Sequence, residues 1–330
     1  MTAAHFSTTV RNLLAGALRS DYLVLILCVV YFAALAPFTP GFAARGNLEN
    51  TLLTLMPLFV AAIGQTVVMI SGGIDLSLTS IMALSSVVGA LAMNADTGWL
   101  QGSDLAAPAG VLLMLLVGVL VGLANGGAVA GLRLPPFMVT LTSMMFFSGL
   151  AIWLTQSKTI YNLPPAFNAL GGKTAAALAI TVLAAVVAHV FLSRSLWGRW
   201  LFAVGHNARA ARVSGVPVAA VTVSAYAVGG VCAALAAILY TGQAETGSPV
   251  LGQRLLLDLV AATVLGGTSL FGGRGKIVWT LFGVLFIKLI DNSLILLDLS
   301  HFTIMMVKGG VILSAALLDA ARNRWLGGPA

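Results

Sequence analysis

Charge is what this sequence has least of. Of 330 residues only 8% are Asp, Glu, Lys or Arg, while 59% are hydrophobic. A water-soluble domain carries about 25% charged residues. A chain of this length can bury a core, but so few charges leave its surface without a polar coat, and the surface therefore faces lipid. Cysteine is scarce too. Cys28 and Cys232 both lie inside apolar runs, which excludes a disulfide framework and reads them as small core residues. Acidic residues number 10 against 17 basic ones, a net charge of +7. No basic run is long enough to form a nucleic-acid surface, and the excess fits the cytoplasmic loops of a membrane protein. Catalytic signatures are missing as well. His5, His189, His206 and His301 are scattered and form no HExxH pair. Gly272–Lys276 is superficially like a phosphate loop, but Leu270 and Ile277 stand where a Walker A motif needs Gly and Ser or Thr.

Long apolar runs are what the sequence does have. A helix crossing the hydrocarbon needs about 20 apolar residues. Segments 22–38, 50–71, 78–95, 108–131, 137–155, 174–192, 216–240, 256–270, 276–297 and 303–319 read as spans. Backbone groups find no water in lipid, so these are helices, and the alternation of a membrane barrel is absent. Arg11 and Arg19 before the run 22–38, with Ala34-Leu35-Ala36 inside it, have the look of a secretory signal. The many spans that follow make it an uncleaved first helix.

The basic residues test the count. With the N-terminus inside, the inner segments hold Arg11, Arg19, Arg133, Arg194, Arg199, Arg209, Arg212, Arg274, Lys276, Arg322 and Arg324, and the outer ones only Arg45, Lys158, Lys173 and Arg254. Lys288 and Lys308 fall within spans. Trp99 and Trp153 fall at outer span ends, and Trp197, Trp200, Trp279 and Trp325 at inner ends or loops, as an interfacial belt requires. The expectation is an all-α polytopic membrane protein of about ten transmembrane helices with both termini cytoplasmic. It comprises an N-terminal segment 1–21, one transmembrane domain 22–319 and a tail 320–330. Ten spans also permit a five-plus-five inverted repeat.

Four stretches carry more than hydrophobicity. In the inner loop Ser193–Gly215, Asn207 can cap a short helix over Ala208–Val213, Gly215 can take the left-handed position after it, and Pro217 follows. Two readings stand: a helix that docks into a cytoplasmic partner, or a basic loop whose arginines touch lipid headgroups. In Ser71–Ser77, Gly72 and Gly73 unwind a helix, and Asp75 or Ser77 can cap the next. This is either a broken segment near a solute path or a tight inner turn. Gly266, Gly267, Gly272 and Gly273, at the end of the eighth span, permit close packing or a hinge, or form a flexible inner loop. Leu134–Thr140 opens the fifth span with Pro135 and Pro136, a helix start.

Ionisable and amide groups inside spans are expensive. Lys288 and Asp291 share one face of the ninth span, Asn292 is adjacent, and Lys308 can reach the same depth. They are either a self-neutralising ion pair or hydrogen-bonding partners of a polyol. In an ion-coupled secondary transporter, Lys288, Asp291 and Asp258 are the coupling groups. Gln65 and Asn125 are interhelical or path residues.

Together these stretches resemble the permease subunits of bacterial ABC importers for ribose and related sugars, over about residues 45–318. The resemblance rests on Ser-Gly-Gly-Ile-Asp-Leu-Ser at 71–77, Leu-Pro-Pro-Phe-Met-Val-Thr-Leu at 134–141, Gly205-x-Asn207-x-x-Ala210-Ala211-Arg212-x-Ser214-Gly215, and Gly-Gly-Thr-Ser-Leu-Phe-Gly-Gly-Arg-Gly at 266–275. It implies that Gly205, Asn207, Ala210, Ala211, Arg212, Ser214 and Gly215 contact a cytoplasmic ATPase. ATP and Mg are then bound and hydrolysed by that partner, and this chain holds no metal or cofactor. A periplasmic binding protein delivers the solute, and a second permease copy or paralogue completes the path in the inner membrane. Path candidates are Gln65, Gly72, Gly73, Asp75, Asn125, Thr140, Gly266, Gly267, Asp291 and Asn292. The chain departs from the family pattern at Leu78-Thr79, where glycine usually follows, and at Leu256, where Glu is common before Leu-Asp.

Overall fold

The computed structural model describes residues 22–325. The expected segment 1–21, with Arg11 and Arg19, lies outside them, as do residues 326–330 of the expected tail. The described residues form α1 (Leu23–Leu35), α2 (Arg45–Ile70), α3 (Leu78–Met93), α4 (Ala106–Gly131), α5 (Pro136–Thr155), α6 (Pro165–Gly172), α7 (Thr174–Arg194), α8 (Leu196–Val213), α9 (Val218–Ala244), α10 (Leu256–Leu265), α11 (Ile277–Leu296) and α12 (His301–Trp325). The bridge between Ile160 and Gly247 is the one β pairing among them. Each apolar segment coincides in large part with one helix, and α6 and α8 are additional. By length and composition α2, α4, α5, α7, α9 and α11 are able to cross a membrane, whereas α1, α3 and α10 are shorter apolar helices. The chain is an all-helical polytopic membrane protein.

The described residues divide into two compact units: residues 22–51 with 285–325, and residues 52–284. In the first, the Tyr31 hydroxyl meets Ser293 Oγ at 2.8 Å and its ring stands edge-on to Phe286. Asn47 and Asn292 exchange two amide hydrogen bonds of 2.8 Å. Lys308 Nζ lies 2.8 Å from Asp291 Oδ1, with both side chains largely shielded. Buried polar groups in an apolar medium have to be paired in this way.

In the larger unit, α2 and α9 carry the interior. Leu58, Ile63, Val67 and Val68 of α2 are fully buried, as are Ala233, Ala237 and Leu239 of α9. For α2, 89% of its most apolar stretch is buried, against 11% for α5. Both helices read apolar all round, because lipid and protein interior make the same demand. A ladder of small residues joins α4 to α9. A Cβ on Gly118, Gly122 or Gly126 would lie 2.3 Å from Gly230 O, 2.4 Å from Tyr226 O or 2.7 Å from Val223 Cα. The four-residue glycine spacing lets the two backbones touch. α6 seats Gly171 against Leu239 O in the same manner. Its Pro165 occupies a first-turn position where no N–H is missed.

Candidate functional site

The inner-loop segment folds as a helix with a kink. Ser195 Oγ accepts from Gly198 N–H at 2.9 Å and starts α8. At Asn207 the backbone is extended (φ −160°, ψ 99°). Its Oδ1 accepts from the N–H groups of Arg209 and Ala210, both at 3.0 Å, so it caps a second helical stretch. Gly215 takes φ +83°. Gly215 N–H donates to Arg212 O (3.1 Å) and Val216 N–H to Ala211 O (3.0 Å), the paired bonds of a Schellman ending. The cap and the left-handed glycine stand where the sequence put them. The helix is longer than expected, because Leu196–His206 is helical too. Ala211 is buried, while Ala208, Arg209, Ala210 and Arg212 are exposed and Val213 is 91% exposed.

Gly205, just before the kink, is wedged into main chain. A Cβ there would lie 1.8 Å from Ile70 O and 2.6 Å from Gly273 N. A Cβ on Gly272 would lie 2.7 Å from Gly205 O and 2.8 Å from Gly72 Cα. Gly273 N–H donates to Ile70 O at 2.9 Å. Three of the four singled-out stretches thus meet at one backbone junction. Gly72, Gly272 and Gly273 have φ of +84°, +90° and +72°, so the junction asks for glycine twice, for space and for handedness.

From this junction the break leads into a chain of buried polar groups. Asp75 Oδ1 accepts from Ser77 N–H (2.8 Å) and from the Ser77 hydroxyl (2.6 Å). Asn125 Nδ2 of α4 donates to Ser77 Oγ at 2.8 Å. Ser143 Oγ of α5 donates to Asn125 Oδ1. Thr140 Oγ1, also on α5, lies 3.2 Å from Ile74 O. Ser77 donates to Asp75 and accepts from Asn125, whose amide oxygen accepts from Ser143, so the chain runs in one direction and ends on the carboxylate. Of the two cap candidates, Ser77 is spent on this chain and makes no side-chain cap on α3, while Asp75 takes the Ser77 N–H at the helix entry. Asp75 Oδ2, the Tyr226 hydroxyl and both Gln65 amide atoms are buried without a hydrogen-bond partner. Gly73 holds the Tyr226 ring end close, since a Cβ there would lie 2.5 Å from its hydroxyl.

The remaining candidates are placed otherwise. Gly266 packs α10 on α11, where a Cβ would lie 2.6 Å from Trp279 O, and Gly267 takes φ +84° to end α10. Asp291 and Asn292 belong to the smaller unit, where they pair with Lys308 and Asn47. Sequence reasoning missed Ser77's bridging role, Ser143 and Tyr226. The four-residue spacing of Gly118, Gly122 and Gly126 marked the face that carries Tyr226's neighbours, but no spacing links residue 143 to residue 75.

Comparison with known proteins identifies the framework. Residues 47–316 match the family described as branched-chain amino acid transport system / permease component. The ribose import permease protein RbsC of Bacillus subtilis strain 168 is 36% identical over 92% of this chain and 92% of its own length. RbsC of Escherichia coli K12 is 33% identical over 89% of this chain and 92% of its own. The L-arabinose transport system permease protein AraH of E. coli K12 is 31% identical, with 94% and 93% covered. No solved structure matches. Relatives that are permease components give no support to an ion-coupled carrier built on Lys288, Asp291 and Asp258. The chain belongs to this permease-component family and is a transport subunit of an ABC importer, not an enzyme.

Proposed function

We propose that the chain carries a sugar or sugar-like solute inward across the bacterial inner membrane, as one of two permease copies or paralogues around a common path. The relatives named for ribose and L-arabinose support a sugar over an amino acid. A periplasmic binding protein delivers the solute. A cytoplasmic ATPase binds ATP and Mg, and this chain binds neither. Ten spans with both termini cytoplasmic fit the bias of basic residues, an inverted five-plus-five arrangement fits that count, and residues 22–319 form the membrane domain.

The observation that carries the coupling role is the exposed, doubly capped turn 208–213 beside the backbone junction at Gly205. Asn207, Ala210, Ala211, Arg212, Ser214 and Gly215 build that turn, in the inner loop 193–215. Exposed Arg209, Arg212, Val213 and the 91% exposed Phe271 give it the apolar and cationic mix of a docking face. ATP-driven closure of the partner would push on α8, and Gly205 passes the displacement to the 71–77 break and to Asp75, Asn125 and Thr140.

The test is reconstitution of the permease with its ATPase and binding protein in liposomes. ATP-dependent sugar uptake is expected. Arg212→Glu is expected to lower uptake at least about tenfold, or about 1.4 kcal/mol of coupling, with membrane insertion intact. Normal uptake by that variant refutes the docking role.

A further inference from the structure

A cavity of about 290 Å³ in the larger unit is lined by Thr79, Met144, Met145, Ser148, Gln253 and Leu256. None of these is among the path candidates drawn from the sequence. Three strands of argument converge on it: depth, backbone and chemistry.

Depth comes from helix lengths. Residues 144–148 lie midway along the 20-residue α5, which is long enough to cross the hydrocarbon, so the cavity sits near the bilayer midplane. α3 has 16 residues and α10 has 10, about 24 Å and about 15 Å at 1.5 Å per residue, both short of a 30 Å core. Their first turns, at Thr79 and Leu256, meet on the cavity wall. Gly252, just before α10, approaches Thr79 so closely that a Cβ would lie 3.2 Å from Thr79 O. The charge pattern sets 71–77 inside and 241–255 outside, yet Gly252 of the second stretch touches Thr79, two residues beyond the first. Each therefore reaches into the membrane, which makes 71–77 a broken segment and not a turn at the surface.

Backbone excludes lipid on this side. Residues 245–255 are bends and turns with few internal hydrogen bonds. Irregular backbone at membrane depth is tolerated only inside protein or along a water-filled cavity. Gln253 is exposed there, and an amide facing hydrocarbon is equally disfavoured. The cavity opens to water.

Chemistry then sets the occupant. Thr79, Ser148 and Gln253 offer hydroxyl and amide hydrogen bonds, while Met144, Met145 and Leu256 offer an apolar wall. A monosaccharide ring has the matching pair of surfaces, a polar rim of hydroxyls and a C–H face. The volume is at the small end for ligand pockets. Resting on the sugar-importer reading, we infer that this cavity is the intramembrane solute site, with Thr79, Ser148 and Gln253 as specificity-determining residues. Thr79 and Leu256 are also the two positions where the chain departs from the pattern it otherwise resembles, so solute choice differs from its relatives on this wall.

The test uses the complete importer in liposomes and labelled D-ribose, L-arabinose and D-galactose. Failure of the unmodified importer to take up any of them tells against the sugar reading itself. With the best-transported sugar, Thr79→Val and Ser148→Ala are each expected to lower uptake about tenfold and to change its ratio to the other two sugars. The importer should remain assembled. The native Cys28 and Cys232 are buried, so single added cysteines can be read by a charged, membrane-impermeant thiol reagent. Ser148→Cys and Gln253→Cys are expected to react, and sugar with loaded binding protein to slow the reaction. Val186→Cys, on the exposed apolar side of α7, is expected not to react. The inference is overturned if Ser148→Cys and Gln253→Cys react only with a lipid-soluble reagent. It is equally overturned if Thr79→Val and Ser148→Ala leave both rate and sugar ratio unchanged.

Discussion

Glycine brings main chain against main chain at several places in the larger unit, and two of them are built differently. On α4 and α9 the glycines lie within unbroken helices with ordinary helical backbone, and each contact needs only the absence of a side chain. At the junction of Ile70, Gly72, Gly205, Gly272 and Gly273 the partners come from three distant stretches, and three of the glycines are also left-handed. A ladder of helices relieves a clash by sliding or spreading. A junction in which a helix turn is wedged between a carbonyl and an amide has no such freedom. Small residues therefore do different work in the two places: in one they set a distance, in the other they fix a geometry.

Four alanine substitutions grade that difference. Gly205→Ala has the largest expected effect, because its Cβ would fall 1.8 Å from Ile70 O. We expect about 3 kcal/mol or more of destabilisation, seen as loss of folded permease on size-exclusion in detergent. Retention of the unmodified unfolding temperature would refute the junction. Gly230→Ala meets Gly118 O at 2.0 Å, but α4 and α9 can spread. The expected loss is about 1–3 kcal/mol, with a lowered unfolding temperature and a protein that still assembles. Gly72→Ala has room, its nearest neighbour being 3.7 Å away, yet φ is +84°. The strain of a left-handed residue, about 1–2 kcal/mol, is expected, and Gly72→Asn should recover part of it because Asn tolerates that conformation. Gly127→Ala lies on the same helix as the ladder but faces open space. It is expected to stabilise by up to about 1 kcal/mol, since Ala is the better helix former. If Gly127→Ala proved as harmful as Gly230→Ala, the ladder face would be misassigned.

The same contrast explains what was legible beforehand. Apolar runs set by membrane thickness are local, and every segment read as a span lies largely on a helix. Caps are local too: Asn207 and Gly215 act as their residue types require. The ladder has a regular spacing and can be read. The junction, the chain from Asp75 through Ser77 and Asn125 to Ser143, and the Thr79–Gly252 approach join residues far apart along the chain, and no periodicity records them. α6 was passed over because eight residues are too few for a span, although Pro164-Pro165 signalled a start. The first half of α8 lay in the inner loop 193–215, where the sequence reading placed a helix only over 208–213. The sequence left Asp291 between an ion pair and a path role; its carboxylate lies 2.8 Å from Lys308 on the next helix.

A fitting made wholly of main chain is indifferent to side-chain identity beyond its own glycines. The stretch from Gly72 to Thr79 has such a fitting at one end and a wall of side chains at the other. With the solute site and the docking turn as proposed, drift at residues 79, 148, 253 and 256 retunes the cargo without touching the joint. A lineage of such proteins could then diversify its solutes while keeping one interchangeable drive.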